Sequence, residues 1–376
     1  MGNRKKIQMV DLNRQYENIK TEINFAIQNV LDQGVFINGS QVKKFAEELG
    51  SYLNSAHVIP CANGTDALQI AMMGLDLKPG DEVIVPAFTY VATVEVIALL
   101  GLIPVFVDVN KDNFNINVDL IEKSITDRTK CIVPVHLFGQ CVNMEPLLAL
   151  ANQYNLFVIE DAAQALGADY YFSDNKSKKA GTMGTIGTTS FFPSKNLGCF
   201  GDGGAVFVSD DALAEKIRMI ANHGQKKKYY HDIIGVNSRL DTLQAAVLSV
   251  KLKQLDHYCK KRNEVADFYD LAFKNEERIT PPIRLPYSNH VFHQYTIKVN
   301  PSSRDKLKEK LAERGIPSMI YYPVPVHLQE AYKTYDSKEN LNVSESLCKS
   351  VLSLPIHTEM TEDELNYITS NVLKAL

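Results

Sequence analysis

The chain has 376 residues, too long for one small core and suited to two domains. Apolar residues make up 45% and charged residues 22%, an ordinary globular composition, and a net charge of -4 argues against nucleic-acid binding by the protein as a whole. No apolar run is long enough to span a bilayer, and the N-terminal MGNRKK lacks both a signal-peptide apolar region and the residue-6 Ser or Thr of a myristoylation site. The six cysteines form no CxxC pair, so neither a metal site nor a disulfide framework is expected, and a reducing cytoplasm is the expected location.

In chain order, residues 8–32 read as an amphipathic helical region closed near Gly34. After the turn at Asn38-Gly39 a second helix is expected over Gln41–Leu53. Seven short runs rich in Val and Ile follow: 57–62, 82–87, 104–109, 131–135, 157–161, 188–192 and 205–209. Helical patterns such as DALQIAMMGL and EPLLALANQY separate them. This alternation predicts an α/β domain with a largely parallel seven-stranded sheet and helices on both faces. Such sheets bind ligands beyond the carboxyl ends of their strands, which directs attention to the residues just after each run.

After residue 210 the pattern turns helical. Ser238-Arg239-Leu240-Asp241 reads as a capping box, opening a helix with Leu240, Leu243, Val247 and Val250 on one face. A long charged helix continues to about Lys274, where the large domain (1–274) is expected to end. Residues 275–376 read as a smaller α+β domain. It has a strand over VFHQYTIKV, helices over SRDKLKEKLAERG and TEDELNYITSNVL, and a polar surface loop over 335–346.

The stretch with most chemical content is TTSFFPSKNLGCFGDGG, residues 188–204. A strand ends at Phe192, Pro193 stops the ladder, and Lys195 follows before a run of glycines that admit close backbone approach to a ligand. A lysine in such a loop is ordinarily a solvated surface residue. Held at a strand end in a partly dry cleft, it can lose its proton and attack a carbonyl as a Schiff-base lysine. Three other strand ends complement it. Gly64 turns the chain and Thr65 stands at the N-cap of an apolar helix, an anion site or simply a capped helix. Phe88 and Tyr90 follow the second run, either as a stacking platform or as core. FVIED ends in Glu160 and Asp161, and a buried acid needs a partner: a pyridinium N–H, an arginine or backbone. Gln164 points from the next turn, and Ser190 could reach a phosphate.

Together these groups meet one need. Pyridoxal phosphate requires a lysine for its aldehyde, an acid for its ring nitrogen, a flat cover for its ring and an anion site for its phosphate. The chain has no GxxxxGK[ST], no GxGxxG after a strand and no HExxH, which argues against a nucleotide hydrolase, a dinucleotide enzyme and a zincin.

The segments ANGTDAL, PAFTYVAT, VIEDAAQALGA, TTSFFPSKNLGCFGDGGA, HGQ and GVNSRLDTLQAAVL together resemble the DegT/DnrJ/EryC1/StrS sugar aminotransferases, which have fold type I among pyridoxal-phosphate enzymes. The resemblance covers nearly the whole chain. It is nearest to the transaminases that aminate C3 of a UDP-linked 2-acetamido-3-keto-hexuronic acid, on the way to lipopolysaccharide and O-antigen sugars. It implies Lys195 as Schiff-base lysine and proton shuttle, Asp161 as partner of the ring nitrogen, Gln164 as partner of the ring 3-oxygen and Tyr90 as the stacking residue. Gly64, Thr65 and Ser190 occupy its phosphate-binding positions. It implies a homodimer with shared active sites, in which Asn237 reaches the phosphate from the second subunit, with Arg239 nearby for a substrate carboxylate or phosphate. Tyr321 stands where many relatives carry His, and Tyr322 keeps the usual tyrosine, both on a segment that faces the sugar. Glutamate is the implied amino donor, leaving as 2-oxoglutarate, and a keto-sugar nucleotide the acceptor.

Other readings remain beside this one. Relatives that dehydrate sugars carry His in place of the lysine, and Lys195 argues against them. The acceptor could be a dTDP-linked 3- or 4-keto-6-deoxyhexose. The chain could also be a pyridoxal-phosphate-binding regulator without turnover, although every group the chemistry needs is present. Lys226, Lys227 and Lys228, followed by Tyr229 and Tyr230, could meet a diphosphate or form a solvated loop, and His293 and His327 carry no assignment.

Overall fold

The computed structural model describes residues 7–335 and 340–376. The readings made on MGNRKK, and residues 336–339 of the expected polar loop, lie outside the described residues. Helices α1 (Leu12–Asn18), α2 (Lys20–Gln33) and α3 (Ser40–Leu53) open the chain. The helical region over 8–32 is thus two helices. The break falls at Ile19, whose φ of -125 leaves helical geometry, and Gly34 ends α2 in left-handed geometry at φ 66.

Strand β1 (His57–Cys61), α4 (Gly64–Gly74), β2 (Glu82–Pro86), α5 (Ala92–Leu99), β3 (Ile103–Val107), β4 (Thr129–Ile132), α6 (Met144–Gln153) and β5 (Phe157–Asp161) follow. A hairpin of β6 (Asp169–Tyr171) and β7 (Ser177–Lys179) precedes β8 (Ile186–Ser190), β9 (Gly204–Val208) and α7 (Asp211–Ala221). A second hairpin, β10 (Gln225–Lys227) with β11 (Tyr230–His231), leads to α8 (Thr242–Leu252) and α9 (Leu255–Phe273).

The seven expected strands form one sheet in the order β1-β9-β8-β5-β4-β2-β3. Neighbours are parallel except for β9, which runs antiparallel to both β1 and β8. Every residue of β2 and β9 is buried, which is why these runs lack a polar alternation: helices cover both faces. On one face Phe45 and Leu49 of α3 pack with Leu147 of α6 and Leu248 of α8. On the other, Ile70 of α4, Val96 of α5 and Ile217 of α7 pack together. Each such side chain contributes about 1.5–3 kcal/mol by leaving water.

The expected capping box at residue 238 is not one. Helix α8 begins at Thr242 with Asp241 as a cap that makes no side-chain hydrogen bond, and Leu240 is buried ahead of the helix. The Ser238 hydroxyl accepts instead from the Ala62 N–H, 3.1 Å away beside β1. A tertiary partner won over the local one.

The C-terminal part holds β12 (Ile279–Thr280), β13 (Tyr295–Val299), α10 (Pro301–Glu313), α11 (Asn342–Ser350), β14 (Val351–Leu354) and α12 (Glu362–Ala375). Its three strands form an antiparallel sheet. Val265, Tyr269 and Phe273 of α9 pack into the same core as Ile297, Leu311, Leu352 and Ile368. Two expectations change here. The strand over VFHQYTIKV begins only at Tyr295, and residues 291–294 leave the ladder. The polar loop over 335–346 gives way to α11 at Asn342. That helix start is capped from a distance: buried Asp108, just past β3, accepts from Val343 N and Ser344 N at 2.8 Å each. Local sequence at Asn342 carries no trace of that cap.

Candidate active site

The carboxyl ends of β1, β2, β5 and β8 surround a cleft of about 610 Å³. The loop after β8 closes on itself around Phe191, which is fully buried edge-on to Phe45 with ring centres 5.4 Å apart. Phe191 N donates to Gly203 O at 2.7 Å, Cys199 N to Phe191 O at 2.8 Å, and Lys195 N to Phe192 O at 2.8 Å. A Cβ on Gly198 would stand 2.3 Å from the Pro193 carbonyl oxygen, so only glycine lets the loop fold this tightly. The fold aims Lys195 into the cleft. Part of its side chain still meets solvent, yet its amine is deep enough that burial brings its pKa down from 10.5 to about 8, with the charge of Asp161 opposing that fall.

Glu160 and Asp161 point to opposite sides of β5, and the structure gives them different work. Glu160 is fully buried and accepts from Gly181 N at 2.9 Å, Met183 N and Gly184 N at 2.5 Å each, and His136 Nε2 at 2.9 Å. The His136 Nδ1 accepts from Val142 N at 3.1 Å, so the proton of a neutral ring lies on Nε2 and is donated to Glu160. Asp161 lies on the cleft side. One oxygen accepts from Thr93 Oγ1 at 2.8 Å and the other from Ala163 N at 3.1 Å. These two neutral donors leave about half of the carboxylate's acceptor sites for a cationic N–H in the cleft.

At the end of β1 the cap is Asn63, not Thr65: its side chain accepts from Asp66 N at 2.8 Å. Gly64 and Thr65 are therefore the first two helical residues, whose N–H groups have no carbonyl four residues back to bond. Ser190 stands against them; a Cβ on Gly64 would lie 2.7 Å from the Ser190 Cβ. The Ser190 oxygen accepts from Phe192 N at 3.2 Å, which leaves its hydroxyl proton to donate. Gln164 is held at both ends, its oxygen accepting from Phe138 N at 2.7 Å and its amide nitrogen donating to the Tyr322 hydroxyl at 3.1 Å. One amide N–H stays uncommitted. Burial pushes the Tyr322 and Tyr321 phenols up, so both stay protonated donors. Tyr90, 57% exposed, forms the wall of the cleft 6.2 Å from the Tyr322 ring.

Two expected site residues are elsewhere. Asn237 is exposed and bridges to Asn222 outside the cleft. Arg239 lines a separate groove between α3 and β1. That groove is the larger space, about 1010 Å³, but it contains neither Lys195 nor Asp161. The lysine run forms part of the β10–β11 hairpin, with Lys227 over the Tyr230 ring at 4.9 Å and Lys228 over the Tyr229 ring at 5.0 Å. Sequence reading missed Thr93, His293 and Gln294, all brought to the cleft or its carboxylate. The last two were read as strand residues, and only their departure from the ladder sends them into the cleft.

The sequence pattern of the DegT/DnrJ/EryC1/StrS aminotransferase family matches residues 17–373. The chain belongs to that family. This aminotransferase is 45% identical over 351 residues to the UDP-2-acetamido-2-deoxy-3-oxo-D-glucuronate aminotransferase of Pseudomonas aeruginosa, covering 93% of this chain and 95% of that one. It is 44% identical over 369 residues, 97% of each chain, to a protein of Geobacillus stearothermophilus named a pleiotropic regulatory protein. A Bacillus subtilis crystal structure with bound pyridoxamine phosphate superposes with a TM-score of 0.91 at 33% identity, covering 100% of this chain and 86% of that one.

The aminotransferase is pyridoxal-phosphate-dependent, and its cleft fits that cofactor on its own geometry. A carboxylate with spare lone pairs faces a lysine poised near neutrality. The open end of α4, with Ser190 packed against Gly64, forms a cradle for a phosphate.

Proposed function

We propose that this chain transfers an amino group from glutamate to C3 of a UDP-linked 2-acetamido-2-deoxy-3-keto-glucuronate, in the cytoplasm, for surface polysaccharides such as O-antigen. The observation that carries the chemistry is Lys195, its amine brought to about 8 in one cleft with Asp161. The acceptor rests on the likeness to the Pseudomonas aeruginosa enzyme.

Bound in the cleft, pyridoxal phosphate supplies an aldehyde for an amine and a ring that holds the electron pair of a substrate carbanion. Gly64, Thr65 and Ser190 would hold its phosphate, Asp161 would keep its ring nitrogen protonated, Gln164 would serve the ring 3-oxygen and Tyr90 would cover the ring. Lys195 is the anchoring amine. Its Nζ would take the proton from the α-carbon of glutamate in one half-reaction and give one to C3 of the sugar in the other. Tyr321 and Tyr322 contact the sugar.

The working unit is a homodimer, with Asn237 and Arg239 completing the partner's site; this explains why both lie outside the cleft of their own chain. Ile234, 86% exposed in the same segment, and Phe25, Phe36 and Ile37 offer apolar surface for that contact. The chain divides at residue 274, with α9 packed against both parts. Among the described residues no helix is long and apolar enough to cross a membrane.

The test has two parts. Borohydride reduction of the loaded enzyme followed by peptide mapping should place the adduct on Lys195, and Lys195→Arg should keep the charge but lose turnover. A panel of keto-sugar nucleotides, UDP-linked and dTDP-linked, then reads the acceptor. Conversion of only 4-keto sugars would remove the C3 assignment.

A further inference from the structure

The loop that carries Lys195 brings two further side chains to the cleft that none of the assigned roles uses. The register of β8 on β9 pairs Ser190 with Gly204, and Phe191 N still reaches Gly203 O at 2.7 Å. Phe191 O turns instead to Cys199 N at 2.8 Å, so Phe192 and Asp202 stand opposite one another where the strands part. Alternation along a strand turns Phe191 and Phe192 to opposite faces. Phe191 is fully buried, whereas Phe192 is 51% exposed and lines the cleft together with Asp202. Asp202 is exposed, and among the described residues it makes no hydrogen bond and no ion pair.

The backbone around both is fixed. Phe192 N donates to Ser190 Oγ at 3.2 Å, and Phe192 O accepts from Lys195 N at 2.8 Å. Two residues before Asp202, the Gln244 amide of α8 grips Phe200, accepting from its N–H at 2.8 Å and donating to its carbonyl at 3.3 Å. Two side chains with open ends thus stand on a rigid frame, and rigid presentation lowers the ordering cost of binding.

Their chemistry defines what they can take. Phe192 offers a flat apolar face with no polar group, which suits a flat ring better than a hydroxylated one. A carboxylate repels phosphates and carboxylates, so Asp202 serves neither the cofactor phosphate, nor a diphosphate, nor glutamate. It also stands away from the reacting amine, since the acid whose charge bears on Lys195 is Asp161. An open carboxylate of this kind accepts from hydroxyls, as acids do at the ribose of nucleotides. A flat ring joined to a hydroxylated one, with no negative charge on either, is a nucleoside.

We propose that Phe192 and Asp202 form the nucleoside subsite of the acceptor: the Phe192 ring stacks on the base, and the Asp202 carboxylate accepts from the ribose hydroxyls. This rests on the nucleotide-sugar reading above and leaves the sugar to Tyr321 and Tyr322.

The experiment titrates the cofactor-loaded enzyme by calorimetry with UDP, with dideoxy-UDP, which lacks both ribose hydroxyls, and with inorganic pyrophosphate, which has neither base nor ribose. Phe192→Ala and Asp202→Ala should each raise the Kd of UDP about tenfold. Dideoxy-UDP should bind wild type about tenfold more weakly than UDP, and Asp202→Ala should add little to that loss. Pyrophosphate should bind wild type and both variants alike. In single turnovers the keto-sugar half-reaction should lose kcat/KM in step with the Kd. The glutamate half-reaction takes no nucleotide; a rate within about twofold of wild type shows that each variant is folded. Unchanged UDP binding in either variant, or tighter binding in Asp202→Ala, would overturn the proposal and leave the acceptor reading intact. So would a variant that sediments as a monomer where wild type is a dimer, which would assign these side chains to the contact between copies. A wild-type enzyme that reacts with glutamate but binds neither UDP nor dTDP would overturn the nucleotide-sugar reading as well.

Discussion

Two acids stand side by side at the end of one strand and face different worlds. On the Glu160 side, three backbone N–H groups and a histidine fill the carboxylate, and the whole cluster is dry. On the Asp161 side, two neutral donors fix the carboxylate and the rest faces the cleft. The first side ties β5 to the turn before β8 and to the segment after β4. The second leaves an acceptor open toward the lysine. A buried acid is thus no mark of a functional site. What distinguishes one is a carboxylate whose protein partners stop short of satisfying it.

That contrast can be broken in order of expected effect. Asp161→Asn should cut turnover about 10³-fold, as loss of an electrostatic partner does, while its unfolding free energy in urea stays within about 1 kcal/mol of wild type. Glu160→Ala should do the reverse. It orphans four buried donors and should lose about 3–5 kcal/mol of stability, read as the urea midpoint, with the folded fraction keeping its rate within a few-fold. If the two variants lost activity and stability in parallel, the division between the faces would be wrong.

The lysine sharpens the comparison. In cofactor-free protein, acylation of Lys195 followed across pH by mass spectrometry should show a midpoint near 8, against about 10.5 for surface lysines. Asp161 favours the charged amine, so Asp161→Asn should move that midpoint below 8, whereas a conservative change on the other face should leave it in place. A rise in the Asp161→Asn protein would reverse the sign of the coupling. The smallest effect is expected from Thr93→Val, which removes one neutral donor to Asp161 and should lower kcat about fivefold to tenfold.

Much of this site was legible because the parallel sheet delivers its strand ends to one edge. Once seven apolar runs are recognised, Lys195, Asp161, Gly64, Thr65 and Ser190 fall at predictable places. What stayed hidden depended on partners remote in sequence. Ser238 looked like a cap until Ala62 N claimed its hydroxyl. The helix at Asn342 looked like loop because its cap, Asp108, lies more than two hundred residues away. His293 and Gln294 looked like strand because nothing local announces that Arg262 and Gly139 hold residues 291–294 off the ladder.

The sequence by itself determined the seven strands of the large sheet in chain order, the lysine and the acid, since apolar periodicity and residue chemistry are properties of the chain at short range. Only the tertiary structure decided which of two adjacent acids is open, and that Asn237 and Arg239 stand outside their own chain's cleft. Those outcomes rest on which groups satisfy one another across the fold, and hydrogen-bond satisfaction is settled by distance in space, not by distance along the chain.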